Sequence, residues 1–585
     1  MKAKHLLAIA LTAALLMTAC WILPASAGAD GEVVLRVCNW EEYIDLGDWD
    51  AEEDIIDLDI DLEALDEDEK AALIDNWDDS EILDGDQRMV FGKNPMIEDF
   101  EEWYFRTTGK KVRVEYSTFG TNEDLYNMLT IGDVYDLVCP SDYMIMKLMA
   151  EDQLVPLSES FKDQEKETNY YERGLSPYIR DIFDSHQISG ESWSDYAAGY
   201  MWGVTGFLYN PDKVDEADAS TWNLLENRKY NRLITIKDNV RDAYFAAIGA
   251  VKSEMLTSEK FRSREDYAAA LEAEMNDVSP DSIEKVQGYL QKVRENVYSF
   301  ETDSGKADII TGKIVASYQW SGDAVYAMNV AEGEEEDDDV EVNDENRKYL
   351  NFSVPEEGTN IYFDGWVMLK CGIGNDTEKQ QAAEAFINFL SRPDNAIRNM
   401  YYIGYTSAIS GGDDGRILAY LDWNYGAETE EEETGTEDGT EAETAEAEAE
   451  EPEAAETAEK PEDAEEEEDA GEDVEEEEPT VEYDLSYFFL GMGQHSDDYV
   501  LTVPESQLKR QLSAQYPSEE VIERASIMIY FNEEQNEQIN RMWTNVRCFN
   551  INQVPVWVWI LLAALIVGGV AFWLWRRAVR NRQYE

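Results

Sequence analysis

Four short stretches of the chain bring carboxylates and aromatic rings together: Asn39-Trp40-Glu41-Glu42-Tyr43, Ser141-Asp142-Tyr143, Trp320-Ser321-Gly322-Asp323 and Tyr362-Phe363-Asp364. Each closes a run that reads as a strand, so these side chains fall where a strand gives way to a loop. The chemistry such a set could do is recognition of an organic polycation. Carboxylates pair with ammonium groups, and ring faces cover a methylene stem and attract its charge. Taken singly, a Trp or Asp at a strand end is more often a packing or capping residue; recurrence in four places is what favours the binding reading.

Catalytic chemistry finds less material. The three histidines are His5, His186 and His495, with His5 in the apolar leader, which leaves little for a metal site or a Ser/His/Asp set. There is no HExxH, no GxSxG before a helix, no P-loop and no Cys-x-x-Cys. Composition alone leaves open a carboxylate pair acting on a glycoside, but no motif localises one. Asp57, Asp59 and Asp61 are spaced like the start of a calcium loop, yet the glycine such a loop needs next is Leu62, so this stretch reads as a solvated acidic insert. The expectation is a binding protein without catalytic residues, metal or cofactor.

The elements that would position the clusters alternate. LRVCNW reads as a strand, Ile97 to Arg106 as a helix, VRVEYS as a strand, Glu123 to Thr130 as a helix, YDLVCP as a strand and Tyr143 to Glu151 as a helix. That order argues for parallel α/β architecture, in which ligands bind beyond the carboxyl ends of strands. Cys38 and Cys139 each end a strand-like run. Two readings stand for them, a bridge between neighbouring strands or burial as small apolar side chains.

The 585 residues carry a formal charge of −80, which argues against anionic partners such as nucleic acid. Residues 427–480 hold 29 acids against one lysine, and residues 45–95 hold 20 acids against three basic residues. Almost without large apolar side chains, 427–480 is expected to be disordered. DLDIDLEAL in the insert alternates with period two, and DEDEKAALIDNW then looks helical.

Both ends read as targeting segments. Residues 1–27 form an export signal with cleavage after Ala27, although Met17-Thr18-Ala19-Cys20 resembles an imperfect lipoprotein box. Residues 556–575 are twenty apolar residues without a charge, framed by Trp557 and Trp559 before and by Trp573, Trp575, Arg576 and Arg577 after. They read as a transmembrane helix that leaves 576–585 in the cytoplasm and the rest outside.

In order along the chain, NWEEYI, VEYSTFGTNEDLYNML, YDLVCPSDYMIMKL, YMWGVTGFLYN, STWNLL, IKDNVRDAY, YQWSGDA, FDGWVML and AAEAFINFLSRPDNA followed by IGYTSA resemble the spermidine/putrescine-binding proteins that serve polyamine ABC transporters. The resemblance spans about residues 33–412, apart from the acidic insert, and continues more weakly to about 547. It implies a two-lobed α/β periplasmic-binding-protein-like fold of type II, with a hinged cleft. Residues 33–205 and 362–412 would form the first lobe, and residues 206–361 and 481–548 the second. The chain would cross between them near Trp202 to Thr205 and return near Tyr362 to Trp366.

Matched singly to the family's motifs, Trp40, Glu42, Tyr43, Ser141, Tyr143, Asn239, Asp242, Trp320, Tyr362, Asp364 and Tyr405 are the implied ligand-binding residues. Asn239 stands where a well-known member is acidic, Tyr362 where it has tryptophan, and Glu41 where it has threonine. AAGYMWG lacks the proline usual at the start of the second lobe. One carboxylate fewer makes the shorter diamine or a different cationic solute plausible. The implied function is capture of putrescine or spermidine and delivery to the permease subunits of an ABC transporter from a membrane anchor. The alternatives are another cationic or zwitterionic solute, or an acidic surface protein for adhesion or cation sequestration.

Overall fold

The computed structural model describes residues 32–47, 95–333, 342, 346–427 and 478–548, together with two short strands, Ile55–Asp57 and Arg88–Val90, that pair antiparallel. The leader 1–27, most of the acidic insert with its calcium-like spacing and helical stretch, the run 428–477 and the apolar segment 556–575 lie outside the described residues. Among the described residues no helix is long and apolar enough to cross a membrane.

The first half follows the alternation read from the sequence: β1 (Val33–Trp40), α1 (Met96–Thr108), β2 (Val112–Phe119), α2 (Asn122–Ile131), β3 (Leu137–Val138) and α3 (Asp142–Ala150). Strand β1 runs parallel to both β2 and β3, in register from Val33 opposite Val112 to Trp40 opposite Phe119. YDLVCP contributes a strand of two residues. Local chemistry sets the helix ends: Thr121 accepts from the Asp124 N–H to cap α2, and α1 stops at Gly109 with φ 71°. Cys38 lies on β1 and Cys139 directly follows the neighbouring β3, with the Cys139 N–H donating to the Cys38 carbonyl, and both are buried free thiols.

After α4 (Pro177–Ser185) comes β4 (Ala197–Tyr209), which is buried along its whole length because both faces are covered. Next follow β5 (Ile234–Lys237), α5 (Val240–Val251), α6 (Pro280–Asn296), β6 (Ser299–Glu301), α7 (Gly305–Ile310), β7 (Ala316–Trp320) and α8 (Ser321–Glu332). Strand β8 (Thr359–Leu369) then returns antiparallel to β4. The hydrogen-bonded path runs β6-β5-β7-β4-β8-β3-β1-β2. The two central strands therefore belong to both halves: Ala197 to Gly199 pair with β8 beside β3, whereas Thr205 to Tyr209 pair with β7. Helix α9 (Pro393–Ile403) closes the first half, its Arg398 buried against Asp45 and Asp99.

Beyond the acidic run come β9 (Thr480–Asp484), α10 (Ser486–Leu490), β10 (Val500–Pro504) and α11 (Glu533–Arg547). The sequence places 481–548 in the second lobe alone, but here the segment divides. Aromatic residues draw α10 onto the first half, with Tyr487 edge-on to Tyr178 at 5.6 Å and Phe488 stacked on Trp202 at 5.9 Å. The apolar face of α11 instead lies along α6, where Arg294 donates to the Val546 carbonyl. Such a segment straps both halves.

Candidate ligand-binding site

Between the halves lies a cavity of about 1150 Å³. All eleven residues singled out in the sequence line it, from both sides of the cleft. NWEEYI answers for the first wall. Asn39 is buried and donates from Nδ2 to the Tyr43 carbonyl, which also accepts from the Tyr200 hydroxyl. The turn these bonds fix puts Glu42 in the left-handed region, φ 51°, costly for a residue with a Cβ and found where the surroundings over-determine it. The tyrosine is thereby sent inward, while Glu42 stays on the rim. Trp40 packs on Phe119 with ring centroids 4.7 Å apart, and its indole Nε1 has no hydrogen-bond partner among the described residues.

Asp364 owes its position to a break in β8. The register with β4 shifts between Phe363 and Gly365, and such a bulge re-aims the side chain it carries. Asp364 also bridges to Ser141, which Asn122 holds through two hydrogen bonds of 3.1 Å. Its Oδ2 accepts from the Tyr43 hydroxyl at 2.7 Å, while Oδ1 is buried without a partner among the described residues. Burial pushes this carboxyl up to about 6, against the pull of the Ser141 and Tyr43 hydroxyls.

The second wall comes from α5 and α8. Asp242 is buried on the first turn of α5, where desolvation raises it to about 7 although Lys237 and the Trp320 side chain favour its charge. Asn239, named as a ligand residue, lines the cavity, but its Oδ1 accepts from the Arg241 and Asp242 N–H groups as the helix cap. Trp320 already has a cation on its ring, Lys237 Nζ at 4.0 Å from the centroid. Tyr405 lies against Gly322, where an added Cβ would come within 2.2 Å of its ring, so only glycine admits it. Its hydroxyl donates to Asp323 at 2.9 Å. Tyr43 and Tyr405 meet edge to face at 4.8 Å, and burial keeps both phenols, and that of Tyr362, protonated.

Several lining residues lie outside the eleven, although Asp142 stood in one of the acid-aromatic clusters. Asp142 is buried, its carboxylate accepting from the Tyr143 and Phe363 N–H groups, and burial still raises it to about 8. Arg241 lies between the rings of Tyr143 and Phe531, at 4.4 and 4.0 Å, and donates to the Ile529 carbonyl. Asp303, Lys306, Asp323 and Met528 also line the cavity. Asp323 was visible in the WSGD cluster; Lys306 sits in a stretch with no aromatic neighbour, and Met528 comes from far along the chain. Among the described residues, no group of His, Cys, Asp and Glu could hold a metal ion. The arrangement can grip an elongated cation of apolar stem.

This architecture defines a solute-binding protein with its cleft between two halves of one sheet. Residues 95–415 match the bacterial extracellular solute-binding protein family, and the chain belongs to it, a family of binders rather than enzymes. The chain is 26% identical over 307 residues to the spermidine/putrescine-binding periplasmic protein of Escherichia coli, covering 52% of this chain and 72% of that protein. It is 24% identical over 304 residues to the putrescine-binding periplasmic protein PotF of the same organism, covering 51% and 71%. Among solved structures, the spermidine/putrescine transporter substrate-binding protein PotD of Streptococcus pneumoniae aligns over 88% of this chain and 98% of its own, at 18% identity and a TM-score of 0.47.

Proposed function

We propose that this protein captures a polyamine, putrescine or spermidine, in the interlobe cleft outside the cell and delivers it to an ABC permease. One observation carries the reading: Asp364 presents an unpartnered buried oxygen to a cavity walled by Trp40, Tyr43, Tyr362 and Tyr405. An uncompensated carboxylate in such a place costs stability unless a cation arrives. Asp364 and Asp242 each pair one ammonium group, and the rings flank the stem. Closure of the lobes about β4 and β8 excludes water and strengthens both pairs. The names of the relatives in Escherichia coli support the choice of ligand. Residues 556–575 hold the protein beside its permease, where the effective concentration is high.

The test is calorimetric titration of the detergent-solubilised chain with putrescine, spermidine and spermine at about 0.15 M salt, where loose attraction to the acidic tracts is screened. Saturable one-to-one binding with a ranked preference is expected. Weak, multi-site, salt-sensitive heat alone would sink the reading.

A further inference from the structure

The cleft holds cations of its own. Lys306, on the first turn of α7, is 13% exposed at its side chain and lines the cavity. Its Nζ lies 2.9 Å from Asp303 Oδ1, 3.5 Å from Glu42 Oε2 and 3.9 Å from Asp323 Oδ1, with the Tyr326 ring at 5.1 Å. Three carboxylates and a ring are the surroundings a ligand ammonium group would require. Glu42 belongs to the first half and the others to the second, so the lysine crosses the cleft. Lys237 reaches Asp323 from the opposite side, at 3.1 Å from Oδ2, but it is 1% exposed and walled off behind Trp320.

Matching charge to charge shows what is left. Asp323 faces two lysines, and although burial opposes it, their charges hold its carboxyl below the usual range. Glu42 and Asp303 face Lys306. Of the lining carboxylates with no salt bridge within 4 Å among the described residues, Glu41 is exposed and Asp142 already accepts from the Tyr143 and Phe363 N–H groups, which leaves Asp364 and Asp242 as the buried pair open to a ligand cation. Two carboxylates serve two ammonium groups. A third would have to approach the acids that Lys306 already neutralises, and would meet its charge there.

We propose that Lys306 is a specificity-determining residue: its ammonium stands in for one ammonium of a longer polyamine and restricts the cleft to a diamine. The inference rests on the polyamine reading and adds the reason for a choice within it. Removing the charge frees Glu42 and Asp303 and leaves Asp323 with Lys237 alone, opening a subsite for a third amine; arginine keeps the charge and closes it.

The experiment measures the putrescine and spermidine dissociation constants of the full chain and of K306M, K306Q and K306R in detergent, with thermal unfolding to establish folding. The wild type is expected to prefer putrescine by about tenfold or more, and the two neutral variants to shift the ratio toward spermidine by about tenfold or more, the scale of one lost charge contact. K306R should keep the wild-type ratio. A ratio that stays within about threefold in whichever neutral variant folds overturns the proposal while leaving polyamine binding intact. An equal shift in K306R assigns the change to shape and also overturns it. If the wild type binds neither amine, the polyamine reading falls first and takes this one with it.

Discussion

Burial lifts the Asp364 carboxyl to about 6 and the Asp242 carboxyl to about 7, whereas a carboxylate in an unfolded chain titrates near 4. Between those values the empty folded protein holds protons that the unfolded chain has lost, so the stability these groups contribute is present in mild acid and is lost as pH rises through 6 to 7. A bound diamine needs both groups ionised. Its affinity should therefore fall as pH drops from 8 to 6, with protons released on binding, and its presence should abolish the loss of stability toward pH 8. Calorimetry in buffers of different ionisation heat reads the proton release, and unfolding midpoints across pH read the stability. Affinity that does not change with pH would remove these carboxylates from the binding step. Replacing Asp364 with Asn tests the first of them directly: loss of one charge-assisted contact costs about 1.5–3 kcal/mol, roughly ten- to hundred-fold in Kd. Titration of D364N with putrescine checks it, and an unchanged Kd removes Asp364 from ligand pairing.

Elements place these residues, and elements were the more legible part of the sequence. Short β-branched runs located β1 and β2 to within two residues, and the helices fell within a residue or two of their expected ends. Strand-end position and the acid-aromatic pattern found Trp40, Tyr43, Ser141, Tyr143 and Asp364 because both signals are local. Lys306 and Arg241 had no local signal: a lysine or arginine on a helix reads as surface, and only folding shows that one is buried in an acidic cleft and the other sandwiched between rings. The bulge that turns Asp364 inward was equally unreadable, since it is set by pairing with β4, more than a hundred and fifty residues earlier. The same holds for Arg398 on α9, buried between Asp45 and Asp99, which ties the helix to the end of the first loop. Removing one partner of a buried pair leaves the other charge uncompensated, so Arg398→Met should destabilise by about 3–5 kcal/mol. Chemical denaturation measures this, and a loss under about 1 kcal/mol would make the cluster a surface-like pair.

At the scale of the whole molecule, the acidic tracts carry more than half of the net charge, and each joins the scaffold at well-placed residues. The chain leaves the first half at Gly47 and returns at Pro95, with the Met96 N–H donating to the Asp45 carbonyl at 3.2 Å. The second tract leaves at Ala427, whose N–H donates to the Thr502 carbonyl, and returns at Glu478 into β9, where Thr480 pairs with Pro504. Both of its ends are thus fixed on β10, two residues apart along one strand. A loop whose ends already meet contributes closure entropy that grows only slowly with its length, about 0.6 kcal/mol per doubling, so shortening it should not strain the fold. Replacing residues 430–476 by a short Gly-Ser linker is therefore expected to leave the unfolding midpoint within a few degrees and the putrescine Kd within about twofold at 0.15 M salt. At 0.01 M salt, where the Debye length reaches about 30 Å, the shortened protein should associate with amines more slowly, because about half of the tracts' negative field has gone. Stopped-flow association at both salt concentrations separates the two effects. If amine uptake instead collapses at 0.15 M salt, the acidic run is the binding element and the cleft is not.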